Sequence, residues 1–100
     1  SEGVSIAMSR FHEAVHEPAI SGLGSAAVDY LLAMARDPGP SSAQDLAARL
    51  GRSTKSLSSV RRQLIQRQVI EPVRRGYVDF AIPFMREYLL ENEEEIRERF

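Results

Sequence analysis

Residues 42–82 read SAQDLAARLGRSTKSLSSVRRQLIQRQVIEPVRRGYVDFAI, and this stretch decides the fold. Between Ser42 and Gly51, apolar residues recur at helical spacing after a serine that can cap the helix and before a glycine that can end it. A second helix follows, for which Ser53 or Thr54 can serve as the cap. Its apolar face is predicted to carry Leu57, Val60, Leu64 and Gln68.

The remainder of the same stretch predicts a β-hairpin. Residues 69–73 and 77–82 form its two strands, and apolar and polar side chains alternate in the second strand. Pro72 cannot donate a ladder hydrogen bond, so the first strand is expected at a sheet edge. Gly76 suits a turn that needs a positive φ. The residues exposed at this turn are Arg74 and Arg75. A helix, a turn, a basic second helix and a hairpin in this order predict a winged helix-turn-helix.

Helices are also predicted before this stretch. The first is expected to end before Pro18 and to be followed by a linker at residues 19–24. A further helix is predicted at residues 25–36. The apolar stripe of the first helix comprises Val4, Met8, Phe11 and Val15.

A last helix is predicted to hold Pro83 in its first turn, where the missing N–H is not needed. It should expose a Glu-rich surface with the ion pairs Glu93–Arg97 and Glu95–Arg99. The buried residues of this helix are expected to be Phe84, Met85, Tyr88 and Leu89. The predicted fold class is therefore mainly α with a small β-hairpin wing, a winged helix-turn-helix with an extra helix at each end.

One hundred residues make one small domain. We expect residues 1–22 to form the N-terminal helix and linker, and residues 23–100 to form the winged-helix domain with its C-terminal helix. The formal net charge is −1, but residues 49–75 hold eight basic residues against one acid, whereas six acids lie within residues 87–98. A local cationic surface is therefore expected, and this is what an anionic partner requires.

The chain contains no cysteine, which excludes disulfides and thiolate metal sites, and a cytoplasmic location is expected. No apolar run reaches the length of a membrane span, so no membrane partner is expected. The chain begins with Ser1, and we expect it to be part of a longer protein.

Five segments resemble one family, the C-terminal winged-helix domain of bacterial AAA-type ATPases related to the origin-recognition class, most familiar from actinobacteria. The segments are Tyr30–Ala35, Gly39–Ser41, Leu46–Gly51, Arg61–Ile65 and Arg75–Pro83. The resemblance implies that an ATPase core precedes this domain in the same chain, that residues 1–22 end its lid region, and that the parent binds ATP and magnesium. Residues 1–100 contain no Gly-x-x-x-x-Gly-Lys-[Ser/Thr] loop, so no cofactor is expected here.

Residue types that suit a DNA major groove follow the outward face of the second helix. Arginine can pair with guanine, glutamine with adenine, and hydroxyls with phosphates or base edges. The candidate DNA-binding residues are Lys55, Ser56, Ser59, Arg62 and Gln66 on the helix, and Arg74 and Arg75 on the wing. Arg61 lies beside the apolar face and is expected to pack on the core or to pair with an acid. The alternative is a protein-interaction or homo-oligomerisation module whose basic helix face is simply solvated.

The segment His12-Glu13-Ala14-Val15-His16 matches the His-Glu-x-x-His pattern of zinc metalloproteases. Pro18 follows at once, Val15 belongs to the apolar stripe, and the sequence offers no third ligand in a recognisable pattern. We therefore expect two surface histidines, no metal site and no enzyme activity in this fragment. A zinc hydrolase stays as a third alternative.

Overall fold

The computed structural model describes the backbone of residues 12–99 and the side chains of residues 14–99. A π-helical turn, His12–His16, comes first. The elements that follow are α1 (Glu17–Ile20), α2 (Ser25–Ala35), β1 (Ser41–Ser42), α3 (Ala43–Leu50), α4 (Thr54–Gln66), β2 (Ile70–Arg74), β3 (Tyr77–Phe80), α5 (Met85–Glu91) and α6 (Glu93–Arg99). None of the helices in this part of the chain is long and apolar enough to cross a membrane.

The helix-turn-helix is built from α3 and α4, and its caps are the predicted ones. Ser42 Oγ accepts a hydrogen bond from the Asp45 N–H at 3.4 Å, and Ser53 Oγ accepts one from the Ser56 N–H at 3.1 Å. Each helix therefore begins at a serine that satisfies an early N–H group. Gly51 ends α3 at φ 66°, a conformation that glycine adopts without a Cβ clash.

The sheet has three antiparallel strands in the order β1-β3-β2. β2 lies at an edge, as Pro72 requires, and the turn after it places Gly76 at φ 77°. β1 is too short for periodicity to predict it, and it forms because Ser41 pairs with Val78. The predicted fold, mainly α with a small wing and additional helices at both ends, is confirmed.

The core is organised around α2, which contacts α3, α4 and α5. Leu31 of α2 is fully buried, as are Leu46 of α3, Leu64 of α4 and Leu89 of α5. Burial of these aliphatic side chains is the main free-energy gain that fixes the two helices of the helix-turn-helix on the body. The inward face of α4 is thereby held on α2, and its opposite face points outward.

The N-terminal segment differs from its prediction. The helix does not end before Pro18, because proline in the first turn of α1 needs no partner for an N–H group. The expected linker is also wrong in part, since Ile20 and Leu23 belong to the buried core. Val15 is half-buried. The other members of the predicted stripe, Val4, Met8 and Phe11, lie outside the described residues.

The prediction for the last helix is wrong at its start. α5 begins at Met85, after Phe84 in the left-handed conformation at φ 63°, and Pro83 lies outside the helix. The left-handed backbone at Phe84 interrupts the helical path before Met85, and the Pro83 carbonyl oxygen lies 2.7 Å from His16 Nε2. Phe84 is 53% exposed and not buried as predicted.

The structure also divides the predicted last helix into two helices. Asn92 separates α5 from α6, and Ile96 of α6 reaches the core. The predicted burial of three residues is confirmed, for Met85, Tyr88 and Leu89. The Glu93–Arg97 pair is confirmed at 3.3 Å. Arg99 pairs with Glu17 of α1 at 3.2 Å and not with Glu95, so α6 is tied to the N-terminal segment.

Three smaller differences concern α4 and the hairpin. Gln68 lies beyond α4 at φ 62° and is exposed, so it does not belong to the apolar face. Leu57 and Leu64 of that face are buried, and Val60 is half-buried. β2 is shifted by one residue at both ends, so that Arg74 is its last residue and not part of the turn, and β3 ends two residues earlier than predicted, at Phe80.

Candidate nucleic-acid interface

The outward face of α4 carries the predicted helix residues. Side chains at positions i, i+4, i+7 and i+11 of a helix share a face, and this spacing joins four of them into one stripe. The stripe comprises Lys55, Ser59, Arg62 and Gln66. All four are exposed, and so is Ser56 beside them.

Ser56 also fixes the start of α4. Its hydroxyl donates to the Ser53 carbonyl oxygen at 3.0 Å, and its N–H donates to Ser53 Oγ. Ser58 Oγ donates in the same way to the Lys55 carbonyl oxygen at 2.8 Å. The first turn of α4 is therefore held by its own hydroxyl groups, and Ser56 offers a ligand its acceptor lone pairs.

The wing presents Arg74 and Arg75, and both side chains are exposed as predicted. The guanidinium carbon of Arg74 lies 4.1 Å from the centroid of the Tyr77 ring. Within residues 14–99, no side-chain hydrogen bond or ion pair joins the helix residues to the wing residues. Their relative position is set by the backbone, because β2 follows α4 after residues 67–69 and contacts it.

Arg49 belongs to the basic stretch, but its side chain forms hydrogen bonds within the domain. It donates to both carboxylate oxygens of Asp37, at 2.8 and 2.7 Å, and to the Ala33 carbonyl oxygen at 3.1 Å. These hydrogen bonds hold the pKa of Asp37 below its ordinary value, against the opposing effect of burial. The same contact raises the pKa of Arg49.

Arg67 and Arg61 also lie against the body of the domain. Arg67 donates to the carbonyl oxygens of Ala19 and Ser21, at 3.3 and 3.0 Å. Arg61 is half-buried, and no ion pair joins it to an acid of the described residues, so the acid pair predicted as one alternative does not form. Its charge acts on Tyr30, whose pKa is raised by burial and lowered in part by Arg61. Neither arginine belongs to the outward stripe of α4.

Five of the eight basic residues within residues 49–75 are exposed and do not bind the body of the domain. They are Arg52, Lys55, Arg62, Arg74 and Arg75, all exposed, and none forms an ion pair with a residue of the described part. The acidic residues collect instead on α5 and α6, where Glu87, Glu91, Glu94, Glu95 and Glu98 are exposed. We call the five basic residues the cationic set. An anion that approaches them meets positive charge not already neutralised by ion pairs.

His16 is placed differently from its prediction as a surface residue. It is fully buried, and its ring centroid lies 5.1 Å from that of Tyr88. Its Nε2 contacts the Pro83 carbonyl oxygen, so the ring fastens the N-terminal segment to the loop before α5. The side chains of His12 and Glu13 lie outside the described residues. Among those described, no three His, Asp or Glu side chains are grouped as a metal site would need.

Residues 13–89 match the family described as Domain of unknown function (DUF8462). The chain belongs to this family. The chain is also similar in structure to a mutant of ZitR from Lactococcus lactis, with a TM-score of 0.57 and 18% sequence identity. The similarity covers 99% of this chain and 81% of the ZitR chain. At that identity the similarity shows the fold alone. No curated protein matches this DUF8462 chain in sequence.

Three contacts of basic side chains and His16 are not predicted by the sequence. Arg67 belongs to the basic stretch but binds backbone carbonyls, and His16 is buried although it is expected on the surface. The third is the stack of Arg74 on Tyr77. The strands predicted at 69–73 and 77–82 would set Val73, and not Arg74, opposite Tyr77, so the sequence pattern does not indicate this stack.

Proposed function

We propose that this protein is a DNA-contacting winged-helix domain that binds duplex DNA with the outward face of α4 and with the wing. The observation that carries the proposal is the cationic set, five exposed basic residues without an acid partner in the described part of the chain. Basic side chains that neutralise phosphates release counterions, and this release drives much of protein–DNA affinity. The second helix of a helix-turn-helix is the element that commonly enters the major groove.

The roles of the individual residues follow from their chemistry. Arg62 and Gln66 are placed to meet base edges, because arginine can pair with guanine and glutamine with adenine. Lys55, Ser56 and Ser59 suit phosphates or base edges near the first half of α4. Arg74 and Arg75 extend the contact to the backbone through the wing.

The same proposal places this domain after the ATPase core of an AAA-type protein, as a non-enzymatic accessory domain. The resemblance of Arg75–Pro83 and the four other segments supports this context, and ATP and magnesium would bind the preceding core.

The alternative is a protein-interaction or oligomerisation module without a DNA role. Phe84 and Leu90 are large apolar side chains exposed at the surface, and such a module would bind its partner through side chains of this kind. A stable dimer that shows no affinity for DNA would support this alternative.

The experiment is a titration of a mixed-sequence DNA duplex at low salt with the parent chain and with a variant that carries Lys55→Ala, Arg62→Ala, Arg74→Ala and Arg75→Ala. We expect the variant to bind weakly, with the slope of log affinity against log salt reduced by about 1 for each phosphate that the variant no longer neutralises. A control removes three arginines that are already paired with acids, Arg36, Arg97 and Arg99, and is compared with the three-alanine variant of Arg62, Arg74 and Arg75. This control should bind as the parent does. Equal binding by the parent and the four-alanine variant would contradict the DNA-binding function.

A further inference from the structure

The hairpin has an irregular register next to its turn. Pro72 pairs with Val78, but the next pair is Arg74 with Tyr77, so Val73 is an extra residue in β2. This is a β-bulge, and bulges re-aim the side chains beside them. With a regular register Val73 would lie opposite Tyr77. The bulge puts Arg74 there instead, and opposite residues of antiparallel strands share a face.

Tyr77 is well placed to hold a neighbouring side chain. It lies in the central strand β3, where it pairs with Ser42 of β1 on one side and with Arg74 of β2 on the other. It is half-buried, whereas the next residue, Val78, is fully buried on the core face. The ring is therefore mounted on a strand with a neighbour on both sides.

The Arg74 guanidinium stacks on this ring, with its carbon 4.1 Å from the ring centroid. Stacking covers the faces of a guanidinium and leaves its N–H groups, which lie in the plane, able to donate. Such a group can give a phosphate two parallel hydrogen bonds. Arg75 is exposed as well, but no ring contact holds its side chain among the described residues.

We propose that Tyr77 is a positioning residue that holds the Arg74 guanidinium ready to bind a DNA backbone phosphate, which makes Arg74 and not Arg75 the main phosphate contact of the wing. The inference rests on the proposed DNA-binding function. An arginine loses rotamer freedom when it binds, and a side chain that is already ordered loses less. The stack thus raises affinity without a contact between Tyr77 and the DNA.

The test is a double-mutant cycle on the full chain, with a mixed-sequence duplex of about two helical turns as the probe. Tyr77→Val removes the ring and introduces a β-branched residue, which suits a strand as tyrosine does. We expect it to weaken binding about threefold, the size of an exposed cation–π contact. The same substitution should change nothing when Arg74 is already alanine. In the matched Arg75→Ala background it should keep its threefold effect.

Two further readouts separate positioning from a structural role. Tyr77→Phe keeps the ring and should bind as the parent does. Tyr77→Val should leave the salt dependence of binding unchanged, because Arg74 still reaches its phosphate, whereas Arg74→Ala should lower the slope by about 1. Thermal melting of each variant shows that it is folded.

An equal effect of Tyr77→Val with and without Arg74, or weaker binding by Tyr77→Phe, would overturn the inference. If the four-alanine variant loses binding while the cycle shows no coupling, this inference alone fails. If the four-alanine variant binds as tightly as the parent, the proposed function fails with it.

Discussion

Asp37 shows how one side chain can secure the loop between two elements. Its carboxylate accepts hydrogen bonds from both Nη atoms of Arg49, and from the buried Ser41 hydroxyl at 2.6 Å. The loop after α2 is thereby attached to α3 and to the start of β1. The contact with Arg49 lowers the pKa of Asp37, so the ionised carboxylate is the form that stabilises the fold.

Asp37→Asn should lower the free energy of unfolding at neutral pH by about 1 kcal/mol, a value reduced because Arg49 is partly exposed. The pKa is lowered in the folded state, so the stabilisation is present above the ordinary carboxyl pKa and is lost as pH falls toward the folded value. The difference between variant and parent should therefore shrink below about pH 4. Melting curves across pH measure it. Asp29→Asn, at a half-exposed site 3.9 Å from Arg97, is the control and should change little. A difference that stays constant with pH would contradict the argument.

Both helices of the helix-turn-helix end in the same hydrogen-bonded motif. At the end of α3 the Arg52 N–H donates to the Ala47 carbonyl oxygen at 3.0 Å, with Gly51 in the left-handed conformation. At the end of α4 the Val69 N–H donates to the Leu64 carbonyl oxygen at 3.1 Å, and Gln68 takes the left-handed place. This is the Schellman motif, in which glycine is the preferred residue. Only the first helix has that residue.

Gln68→Gly should raise the free energy of unfolding by about 0.5 to 1 kcal/mol, because glycine adopts φ 62° without the cost that a Cβ atom adds. Gln63→Gly makes the same change inside α4, where glycine is a poor helix former. This control should lower the free energy of unfolding by about 1 kcal/mol. Chemical denaturation of the two variants gives both values. If Gln68→Gly were no more stable than the parent chain, the strain assigned to Gln68 would be absent.

At the scale of the whole molecule, the segment 16–23 ties distant parts together. His16 contacts the loop before α5, Arg67 at the end of α4 binds two carbonyl groups of the segment, and Arg99 of α6 pairs with Glu17. Ile20 and Leu23 add buried apolar surface. The segment is thus part of the core, although the sequence predicts a linker over most of it.

Ile20→Ala should destabilise the protein by about 2 to 5 kcal/mol, as should Leu64→Ala, because both side chains are buried and each truncation leaves a cavity. A single cooperative transition is expected for both variants, since one core holds both residues. Val73→Ala removes methyl groups from a side chain that is 44% exposed, and should change stability by less than about 0.5 kcal/mol. An early separate transition in Ile20→Ala would show that the segment unfolds independently.

Most of the helix-turn-helix could be predicted from the sequence, because its signals are local. Ser42, Ser53 and Gly51 act on N–H and C=O groups within a few residues of themselves, and the apolar spacing of α4 depends on helix geometry alone. The exposed candidates on α4 follow from the same periodicity. The position of Gly76 in its turn follows from backbone conformation, which only neighbouring residues restrict.

Only the tertiary structure decided which basic and polar side chains form hydrogen bonds within the domain. His16 is 67 residues from Pro83 in sequence, and Arg67 is 46 residues from Ser21, so no local pattern marks either contact. The same holds for β1, which is too short to predict and forms through its pairing with β3. Local propensity fixes where the helices of the helix-turn-helix and the turn of the hairpin form. The packing of elements far apart in sequence fixes where each side chain lies, because burial and hydrogen bonding act between whatever surfaces the fold brings together.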